Sequence, residues 1–276
     1  MLFNTDSIVQ KVEECYIFPF MHERKKLCVI MSCSPMWYEL ESLHQIYECA
    51  DKYNIEVVEI RDCDARHIVH NMQQFGFDGI IRLADFTSTM NQFIDSRIEC
   101  YQDLNGVCPT NRVMWVEKNS QLRNFPCATL AAYVILSEYF DHKLRSKDIS
   151  IIGRSNDCGT PLALLLSSNR GNATNATVDI IHSESAHIDQ RIRYRDAVVT
   201  AVYAPSFFKY KIESNSTLYP IIVDTALDID ITGKPHGDVA DNIVDDMHVF
   251  VARTNILTPT ILCAKLFGGF QCATWD

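Results

Sequence analysis

The sequence predicts an α/β fold of two α/β domains, the second built on a parallel sheet with helices on both faces. Strand-like and helix-like segments alternate along the chain, which is the order that βαβ units produce. The strand-like segments are short apolar runs rich in β-branched residues, as in parallel strands covered on both faces. At 276 residues the chain is long enough for two domains. We place the first domain at residues 1–122, joined by a C-terminal helix within 258–276, and the second at 123–257.

The first half of the chain contains three strand candidates and two helix candidates. Each strand candidate is a short apolar run, and each helix candidate repeats apolar residues at helical spacing. In chain order they are a strand at 27–31, a helix at 38–53, a strand at 55–60, a helix at 64–75 and a strand at 79–83. Residues 85–112 are less periodic and rich in turn formers, so we expect an irregular segment there.

The second half begins with a strongly apolar helix and continues with regularly spaced strands. Pro161 indicates that a helix starts near residue 160. The N–H groups of the first helical turn have no partner within the helix, so a proline, which lacks this group, costs nothing there. In chain order the candidates are a helix at 129–140, a strand at 148–153, a helix at 160–168, strands at 177–182, 197–202 and 220–224, and a helix at 260–267. The polar stretch at 167–177 is interpreted as a surface loop.

The composition disfavours several classes of protein. The net charge of −10 makes nucleic acid an improbable partner, because such a surface repels phosphates. The eleven cysteines contain no Cys-x-x-Cys pair, which argues against a disulfide framework and against a zinc site. The first residues resemble neither a secretory signal nor a transit peptide, and no apolar run reaches the ~18 residues that span a bilayer. We therefore expect reduced thiols, no membrane insertion and a cytoplasmic location, with the mitochondrial matrix as second choice.

A glycine-bounded turn follows the strand at 148–153. It reads Gly153-Arg154-Ser155-Asn156-Asp157-Cys158-Gly159-Thr160-Pro161. A strand, a glycine turn and a helix start can aim backbone N–H groups at a phosphate. Because the pattern differs from G-x-G-x-x-G, the turn by itself leaves open a tight connection that binds nothing.

Longer strings around this turn give it a more specific context. GRSNDCGTPLALLL and NATVDIIHS are similar to the patterns G-R-S-x-x-V-G-x-P and A-T-V-x-x-x-H-S, with Cys158 in place of the valine. In these strings the chain resembles the methylenetetrahydrofolate dehydrogenase/cyclohydrolase (FolD-like) family. Weaker matches lie at 79–83, 103–106, 125–129, 196–202, 223–224 and 237–239. The resemblance covers nearly the whole chain at low identity, and it implies that the second domain is a Rossmann-like dinucleotide-binding domain.

The resemblance implies hydride transfer from methylenetetrahydrofolate to NAD(P), followed by hydrolysis of the methenyl product. The family places a tyrosine and a lysine, spaced Y-x-x-x-K, on the first long helix. One alignment puts Leu40 and His44 at these positions, and the other puts Ser42 and Ile46 there. Neither alignment supplies a lysine, and a lysine amine is the group that would shuttle the proton.

Two further catalytic positions and one loop also depart from the family. The glutamine after the third strand is replaced by Arg82 or Leu83, and the aspartate of D-V-D-G is replaced by Asn105. The family's P-G-G-V-G-P-M-T loop reads RTNILTPT at 253–260, without its adjacent glycines. The resemblance therefore predicts no catalytic residues at these degenerate positions.

The cofactor side of the resemblance is mixed. His182-Ser183-Glu184 stands where the family has H-S-R, whose arginine helps to hold the 2′-phosphate of NADP. A glutamate repels that phosphate and can accept from a free ribose hydroxyl, so NAD is expected if any cofactor binds. Tyr203 replaces a glycine where the dinucleotide passes, and we expect its ring to become buried there. The retained cofactor-binding candidates are Gly153, Arg154, Ser155, Gly159 and Pro161.

Two groups of metal-capable side chains are interpreted as turn and loop residues, and no metal site is expected. Turn propensity explains the second group at least as well as metal binding does. The groups are residues 61–67 with His70, and Asp224, Asp228, Asp230, His236 and Asp238.

Two hypotheses about function remain. The favoured hypothesis is a catalytically degenerate family member, without a cofactor, that serves as a structural or interaction subunit with other protein subunits or as a homodimer. The alternative is a divergent NAD-dependent methylenetetrahydrofolate dehydrogenase without cyclohydrolase activity. Hydride transfer needs less of the protein than hydrolysis does, because the cofactor carries the chemistry.

Overall fold

The structure is a computed structural model of the chain. It describes residues 2–117, 120–204, 206–210, 212–213, 219–226, 228–229, 235–244, 248–255, 257–272 and 274–275. The chain divides into two compact units. The N-terminal unit comprises Gln10–Cys127 and Pro259–Cys272, and the C-terminal unit comprises Met1–Val9, Ala128–Thr258 and Ala273–Asp276.

Helices and strands alternate along the chain, as the fold class predicts. The helices are α1 (Asp6–Tyr16), α2 (Trp37–Tyr53), α3 (Ala65–Gln74), α4 (Ser88–Asp95), α5 (Pro109–Met114), α6 (Cys127–Tyr139), α7 (Gly159–Ser167), α8 (Ile188–Ile192), α9 (Asp241–Val244) and α10 (Leu257–Leu266). The strands are β1 (Lys25–Met31), β2 (Ile55–Arg61), β3 (Gly79–Arg82), β4 (Asp148–Ile152), β5 (Thr177–Ile181), β6 (Ala197–Thr200), β7 (Ile221–Asp224), β8 (Asp228–Ile229), β9 (Pro235–His236) and β10 (Phe250–Arg253). Short 3₁₀ helices lie at Phe18–Phe20 and Leu122–Asn124.

The N-terminal unit contains a parallel sheet in the order β2-β1-β3. β1 is its central strand, and five consecutive β1 residues from Leu27 to Met31 are buried. Burying side chains of this kind stabilises a fold by about 1.5–3 kcal/mol each. The apolar cluster of this unit joins the sheet to α3 and α4 through Cys28, Ile30, Ile60, Ile68, Met72, Ile80 and Ile94.

The C-terminal unit contains a parallel sheet in the order β10-β7-β6-β4-β5, and β8 and β9 form a separate antiparallel pair. All four residues of β6 and all four of β7 are buried. The N-terminal residues join this unit because the backbone N–H of Phe3 donates to the carbonyl of Val251 (2.8 Å). The boundaries of the unit therefore differ from the sequence-based division at both ends of the chain.

The structure corrects the expectation of an irregular segment at 85–112, since α4 lies within it and α5 begins in it. Both helices are short, and side chains rather than a long apolar face define their starts. The hydroxyl of Thr87 accepts from the N–H of Met90 (3.4 Å), and Cys108 precedes a proline at the first position of α5. Helix α1 and strand β10 were not predicted from the sequence either.

No helix among the described residues is both long and apolar enough to cross a membrane.

Candidate functional site

The C-terminal unit has a topological switch point between two of its strands. β4 pairs with β5 on one side and with β6 on the other, so the winding of the chain reverses between β4 and β6. Open α/β sheets bind ligands outside the carboxyl ends of the strands at such a point. The segments that follow these two strands, 153–159 and 201–203, therefore form the candidate site of this unit.

Two glycines fix the turn after β4. Gly153 has a φ of +116°, and a Cβ built on it would lie 2.3 Å from the backbone oxygen of Ala201. A Cβ on Gly159 would lie 2.4 Å from the backbone oxygen of Gly153. Neither position has room for a side chain, so both glycines of the retained motif are required by the turn itself.

Ser155 organises the start of α7. Its hydroxyl accepts from the backbone N–H groups of Cys158 (3.2 Å) and Gly159 (3.4 Å), and its carbonyl accepts from the N–H of Thr160 (3.0 Å). These are N–H groups of the kind that a helix start offers to a phosphate. Pro161 is buried in the first turn of α7.

The turn also exposes side chains of both signs of charge. Arg154 and Asp157 are exposed on either side of Ser155. The carboxylate of Asp157 places a negative charge within the turn that would meet a pyrophosphate, and like charges repel. The turn thus joins a glycine-bounded strand–helix connection to exposed side chains of opposite charge.

The residues after β5 are ordered by local hydrogen bonds. The N–H of Glu184 donates to Nδ1 of His182 (3.3 Å), and the N–H of His182 donates to the hydroxyl of Ser185 (3.0 Å). Ser183 and Glu184 are exposed. The carboxylate of Glu184 is therefore free to face a ligand from the end of β5.

Tyr203 lies after β6 with a backbone φ of +58°, a left-handed conformation that glycine adopts more easily. Burial, together with the nearby Cys158, Asp157 and Asp238, raises the pKa of its hydroxyl. The side chain as a whole is nevertheless 51% exposed. The residue is therefore half exposed rather than buried as expected, and its hydroxyl lies near Cys158, Asp157 and Asp238.

Two buried carboxylates belong to this end of the unit: Asp224 is the last residue of β7, and Asp238 follows β9. Asp238 accepts the N–H groups of Val202 (2.9 Å) and Ala204 (2.7 Å), and so fixes the backbone on both sides of Tyr203. Asp224 in turn accepts the N–H groups of Asp238 (3.1 Å) and Val239 (3.2 Å). Burial raises the pKa of both carboxyl groups, to about 6 for Asp238.

This arrangement predicts a pH dependence of stability. The pKa of Asp238 rises from its ordinary value of 3.8 to about 6 on folding, so the folded chain binds more protons than the unfolded chain between these values. The contribution of Asp238 to stability is thus fully present below the unfolded pKa and is lost as the pH rises through the folded one. The asparagine of Asp238→Asn does not titrate. The free energy of unfolding of this variant, relative to that of the parent chain, should therefore rise by about 3 kcal/mol as the pH increases from about 4 to about 7. Urea unfolding at several pH values measures this gain, and a pH-independent difference between the two proteins would refute it.

In the N-terminal unit, helix α2 carries the positions that the resemblance assigns to the tyrosine and the lysine. Ile46 is buried and Leu40 is exposed, so neither offers a polar atom. His44 is exposed, and its Nε2 lies 3.5 Å from a carboxylate oxygen of Glu48, one turn later. Ser42 is half-buried. Of these four positions, only the exposed His44 carries a side chain that can transfer a proton near neutral pH, and none carries a lysine.

Arg82, one of the two residues that the resemblance places at the glutamine position, makes its contacts within the fold. Its guanidinium makes two hydrogen bonds to the carboxylate of Asp95 (2.8 and 3.0 Å) and a third to the carbonyl of Ala84 (2.5 Å). Both charged side chains are almost fully buried, at 11% and 4% exposure. The buried guanidinium, bonded to Asp95, therefore fixes the end of β3 against the end of α4.

Asn105, at the aspartate position, also has a partner within its unit. Its side-chain oxygen accepts from the N–H of Cys127 (3.3 Å), at the start of α6. The preceding acid, Asp103, is buried and accepts from the N–H of Cys108 (2.8 Å) and the amide of Asn111 (2.9 Å). Hydrogen bonds of these two side chains therefore connect residues 103–105 to the starts of α5 and α6.

Sequence reasoning missed Lys265, the buried lysine of α10. Its ammonium donates to the backbone carbonyls of Leu104 and Phe125, the second at 2.9 Å. It is 1% exposed, and burial lowers its pKa against the opposing effects of Cys127 and Asp103. The signal in the sequence is a lone lysine within the apolar helix TPTILCAKLF. Lys265 holds the segments on both sides of Asn105 and is not accessible to a solvent-borne substrate.

The loop that replaces the family's glycine-rich segment continues β10 and starts α10. The N–H of Thr254 donates to the carbonyl of Asp224 (3.1 Å), and the carbonyl of Thr254 accepts from the N–H and the hydroxyl of Thr258 (both 2.9 Å). Thr254 is buried, and Ile256 lies outside the described residues. Through Thr254 the loop is thus hydrogen-bonded both to the end of β7 and to the first turn of α10.

The described residues contain no group of three or more His, Cys, Asp or Glu side chains arranged to hold a metal ion. In the first of the two clusters singled out from the sequence, Asp62 accepts from the N–H groups of Cys63 and Asp64 and lies 3.5 Å from His67. In the second cluster, the side chains of Asp228, Asp230 and His236 lie outside the described residues.

Comparison of the sequence with known proteins points to folate enzymes. The family model "Tetrahydrofolate dehydrogenase/cyclohydrolase, NAD(P)-binding domain" matches residues 126–259. The bifunctional protein FolD of Chlamydia felis (strain Fe/C-56) is 32% identical over 158 residues, which are 57% of this chain and 53% of that protein. The chain thus spans about half the length of the curated relatives it matches.

Comparison of the structure with solved structures gives likenesses over almost the whole chain. A 5,10-methylenetetrahydrofolate dehydrogenase from the silkworm Bombyx mori superposes with a TM-score of 0.80 at 18% identity, covering 98% of both chains. The FolD of Trypanosoma brucei, complexed with NADP cofactor and inhibitor, gives a TM-score of 0.79 at 15% identity, covering 97% of both chains. At these identities the likeness shows a shared fold, and the predicted fold class is confirmed.

Proposed function

The chain is a divergent, FolD-like member of the tetrahydrofolate dehydrogenase/cyclohydrolase family, and from this premise we propose that it is catalytically degenerate and serves as a structural or interaction subunit. The proposal concerns the chemistry of the N-terminal unit. There, the family positions are occupied by side chains that the fold itself uses or that lack a transferable proton.

Helix α2 carries the proposal. Its one lysine is Lys52, in the last turn, and the ammonium of Lys52 lies 2.5 Å from the buried carboxylate of Glu13. Neither alignment of the family motif reaches Lys52. Because a paired ammonium at the far end of the helix cannot replace a lysine near its start, α2 lacks the proton shuttle that hydrolysis requires.

Arg82 and Asn105 support the same conclusion. The guanidinium of Arg82 is held by Asp95, and the amide oxygen of Asn105 caps Cys127. An arginine does not lose its proton in proteins, and an amide carries no negative charge, so neither acts as a general base. His44 lies on the exposed side of α2, where its Nε2 is 3.5 Å from a carboxylate oxygen of Glu48.

The test of this proposal is a hydrolysis assay. We expect the purified chain to hydrolyse methenyltetrahydrofolate no faster than buffer does, and His44→Ala to leave this background unchanged. An active FolD protein assayed in parallel shows that the substrate is competent. Turnover that disappears on His44→Ala would overturn the proposal and would identify histidine as a substitute for the lysine.

A structural role requires a partner. We propose other protein subunits or a second copy of the chain, in the cytoplasm, with the mitochondrial matrix as second choice. We propose neither nucleic acid nor a membrane as a partner, because the net charge of −10 repels anionic surfaces. Native mass spectrometry of the tagged chain, purified from cells, distinguishes a monomer, a homodimer and a mixed assembly. A monomer under all conditions would contradict the structural role.

One observation favours the second candidate, an NAD-dependent dehydrogenase without cyclohydrolase activity. The turn after β4 keeps both glycines at positions that admit no side chain, and the carboxylate of Glu184 is exposed after the end of β5. A carboxylate at this place accepts from the ribose hydroxyls of NAD.

The second candidate predicts a cofactor preference. If the chain binds a dinucleotide, we expect NAD to bind more tightly than NADP by roughly ten- to hundredfold, because the 2′-phosphate would meet the negative charge of Glu184. Glu184→Gln should narrow this gap, whereas Glu213→Gln, a change of the same charge elsewhere in the unit, should leave it unchanged. Isothermal titration calorimetry with both dinucleotides measures the gap. Tighter binding of NADP to the parent chain would refute the role of Glu184.

A further inference from the structure

Two exposed cysteines follow the two paired strands β1 and β2. The register of these parallel strands pairs Met31 with Arg61 as the last pair of the ladder. Cys33 and Cys63 each lie two residues further along, so they occupy equivalent places at the carboxyl edge of the sheet. Both are exposed and reduced.

The side chains of the two cysteines lie close enough to interact. This interaction with Cys63 raises the pKa of the Cys33 thiol. Adjacent strands lie about 4.8 Å apart, which is within the ~4.4–6.8 Å that separates the Cα atoms of a disulfide. A disulfide between these residues therefore requires little movement of the backbone.

Both cysteines are carried by segments that hydrogen bonds hold in place. Asp62, beside Cys63, accepts the N–H groups of Cys63 (2.7 Å) and Asp64 (2.9 Å). Ser32, beside Cys33, donates from its hydroxyl to the buried carboxylate of Glu39 in the first turn of α2 (3.2 Å). The thiols are thus positioned in advance, which raises the effective concentration of one for the other.

We propose that Cys33 and Cys63 form a modification site at which a small-molecule disulfide, such as glutathione disulfide, introduces a reversible disulfide bond. The thiolate of Cys63 attacks one sulfur of glutathione disulfide, breaks its S–S bond and releases the first glutathione as a thiol. Cys33 then gives up its proton and attacks the Cys63 sulfur of the mixed disulfide, which releases the second glutathione. Two protein thiols are oxidised and one glutathione disulfide is reduced to two thiols, so atoms and electrons balance.

The chain contains its own controls for this proposal. Cys28, Cys127 and Cys158 are buried, so a small-molecule disulfide cannot reach them. Cys100 is exposed. Its modification therefore measures how easily glutathione disulfide reaches an exposed thiol. Accessibility and proximity can therefore be separated within one sample.

The experiment uses the full chain in buffers of stepped ratios of oxidised to reduced glutathione. Acid quenching, alkylation of the remaining thiols and peptide mass spectrometry then identify each product. We expect a cross-linked Cys33–Cys63 peptide at a ratio about tenfold lower than the ratio that half-modifies Cys100, with the buried Cys28, Cys127 and Cys158 still reduced. Returning the sample to reduced glutathione should remove the cross-link.

Two variants separate the roles of the two thiols. Cys33→Ser should leave glutathione attached to Cys63, because the second attack is missing, and Cys63→Ser should abolish the cross-link. Both positions are exposed, and circular dichroism confirms that the variants fold. The proposal is overturned if Cys33 and Cys63 carry separate glutathione adducts like Cys100, or if both stay reduced while Cys100 reacts.

Discussion

Gly153→Ala is expected to lower the free energy of unfolding of the C-terminal unit by about 4 kcal/mol. The substitution meets two separate penalties. A φ of +116° is strained for any residue with a Cβ, which costs on the order of 1–3 kcal/mol. The new Cβ would also lie 2.3 Å from the backbone oxygen of Ala201, so β6 or the turn must shift, at about 1–3 kcal/mol more.

Gly171→Ala is the matched control for this prediction. Gly171 has nearly the same φ, +119°, but a Cβ built on it meets nothing within 4 Å. This variant should therefore show the backbone strain alone. Its free energy of unfolding should be about 2 kcal/mol higher than that of Gly153→Ala. Urea unfolding followed by circular dichroism measures both. Equal losses in the two variants would show that β6 does not confine the turn.

Arg82→Gln, which restores the family's residue at this position, is expected to lower the free energy of unfolding by about 3 kcal/mol. The change leaves the carboxylate of Asp95, 3% exposed, without its main partner, and a buried charge that loses its partner is strongly destabilising. Arg112, 3.5 Å from the same carboxylate and 38% exposed, offsets part of the loss. Restoring this catalytic glutamine alone should therefore damage the fold without producing activity.

Arg61→Gln provides the control for the buried ion pair. Arg61 pairs with Glu59 at 2.6 Å, but the two side chains are 43% and 23% exposed, and exposed pairs contribute about 0–1 kcal/mol. Thermal or urea unfolding of the two variants should differ by about 2 kcal/mol or more. A loss at Arg82 as small as the loss at Arg61 would mean that the interior around Asp95 tolerates the charge.

Local patterns in the sequence determined the fold class and the candidate turn. The apolar β-branched runs predicted β1, β4 and β5 to within a few residues, because a strand buried on both faces leaves a continuous apolar run in the sequence. The motif with Gly153 and Gly159 was visible for the same kind of reason, since the turn admits no side chain at either position. The replacements at the family's catalytic positions were also readable, because a motif fixes residue types at fixed spacing.

Only the tertiary structure decided what the replaced residues do. The contact of Arg82 with Asp95 crosses 13 positions of the chain, and the bond of Lys265 to Leu104 crosses 161, so no local pattern announces them. The sequence suggested a buried Tyr203, but its exposure depends on a left-handed turn held by Asp238, 34 to 36 residues away. Cys33 and Cys63 meet because β1 and β2 pair in one register, and register is set by the packing of a whole sheet rather than by either segment alone.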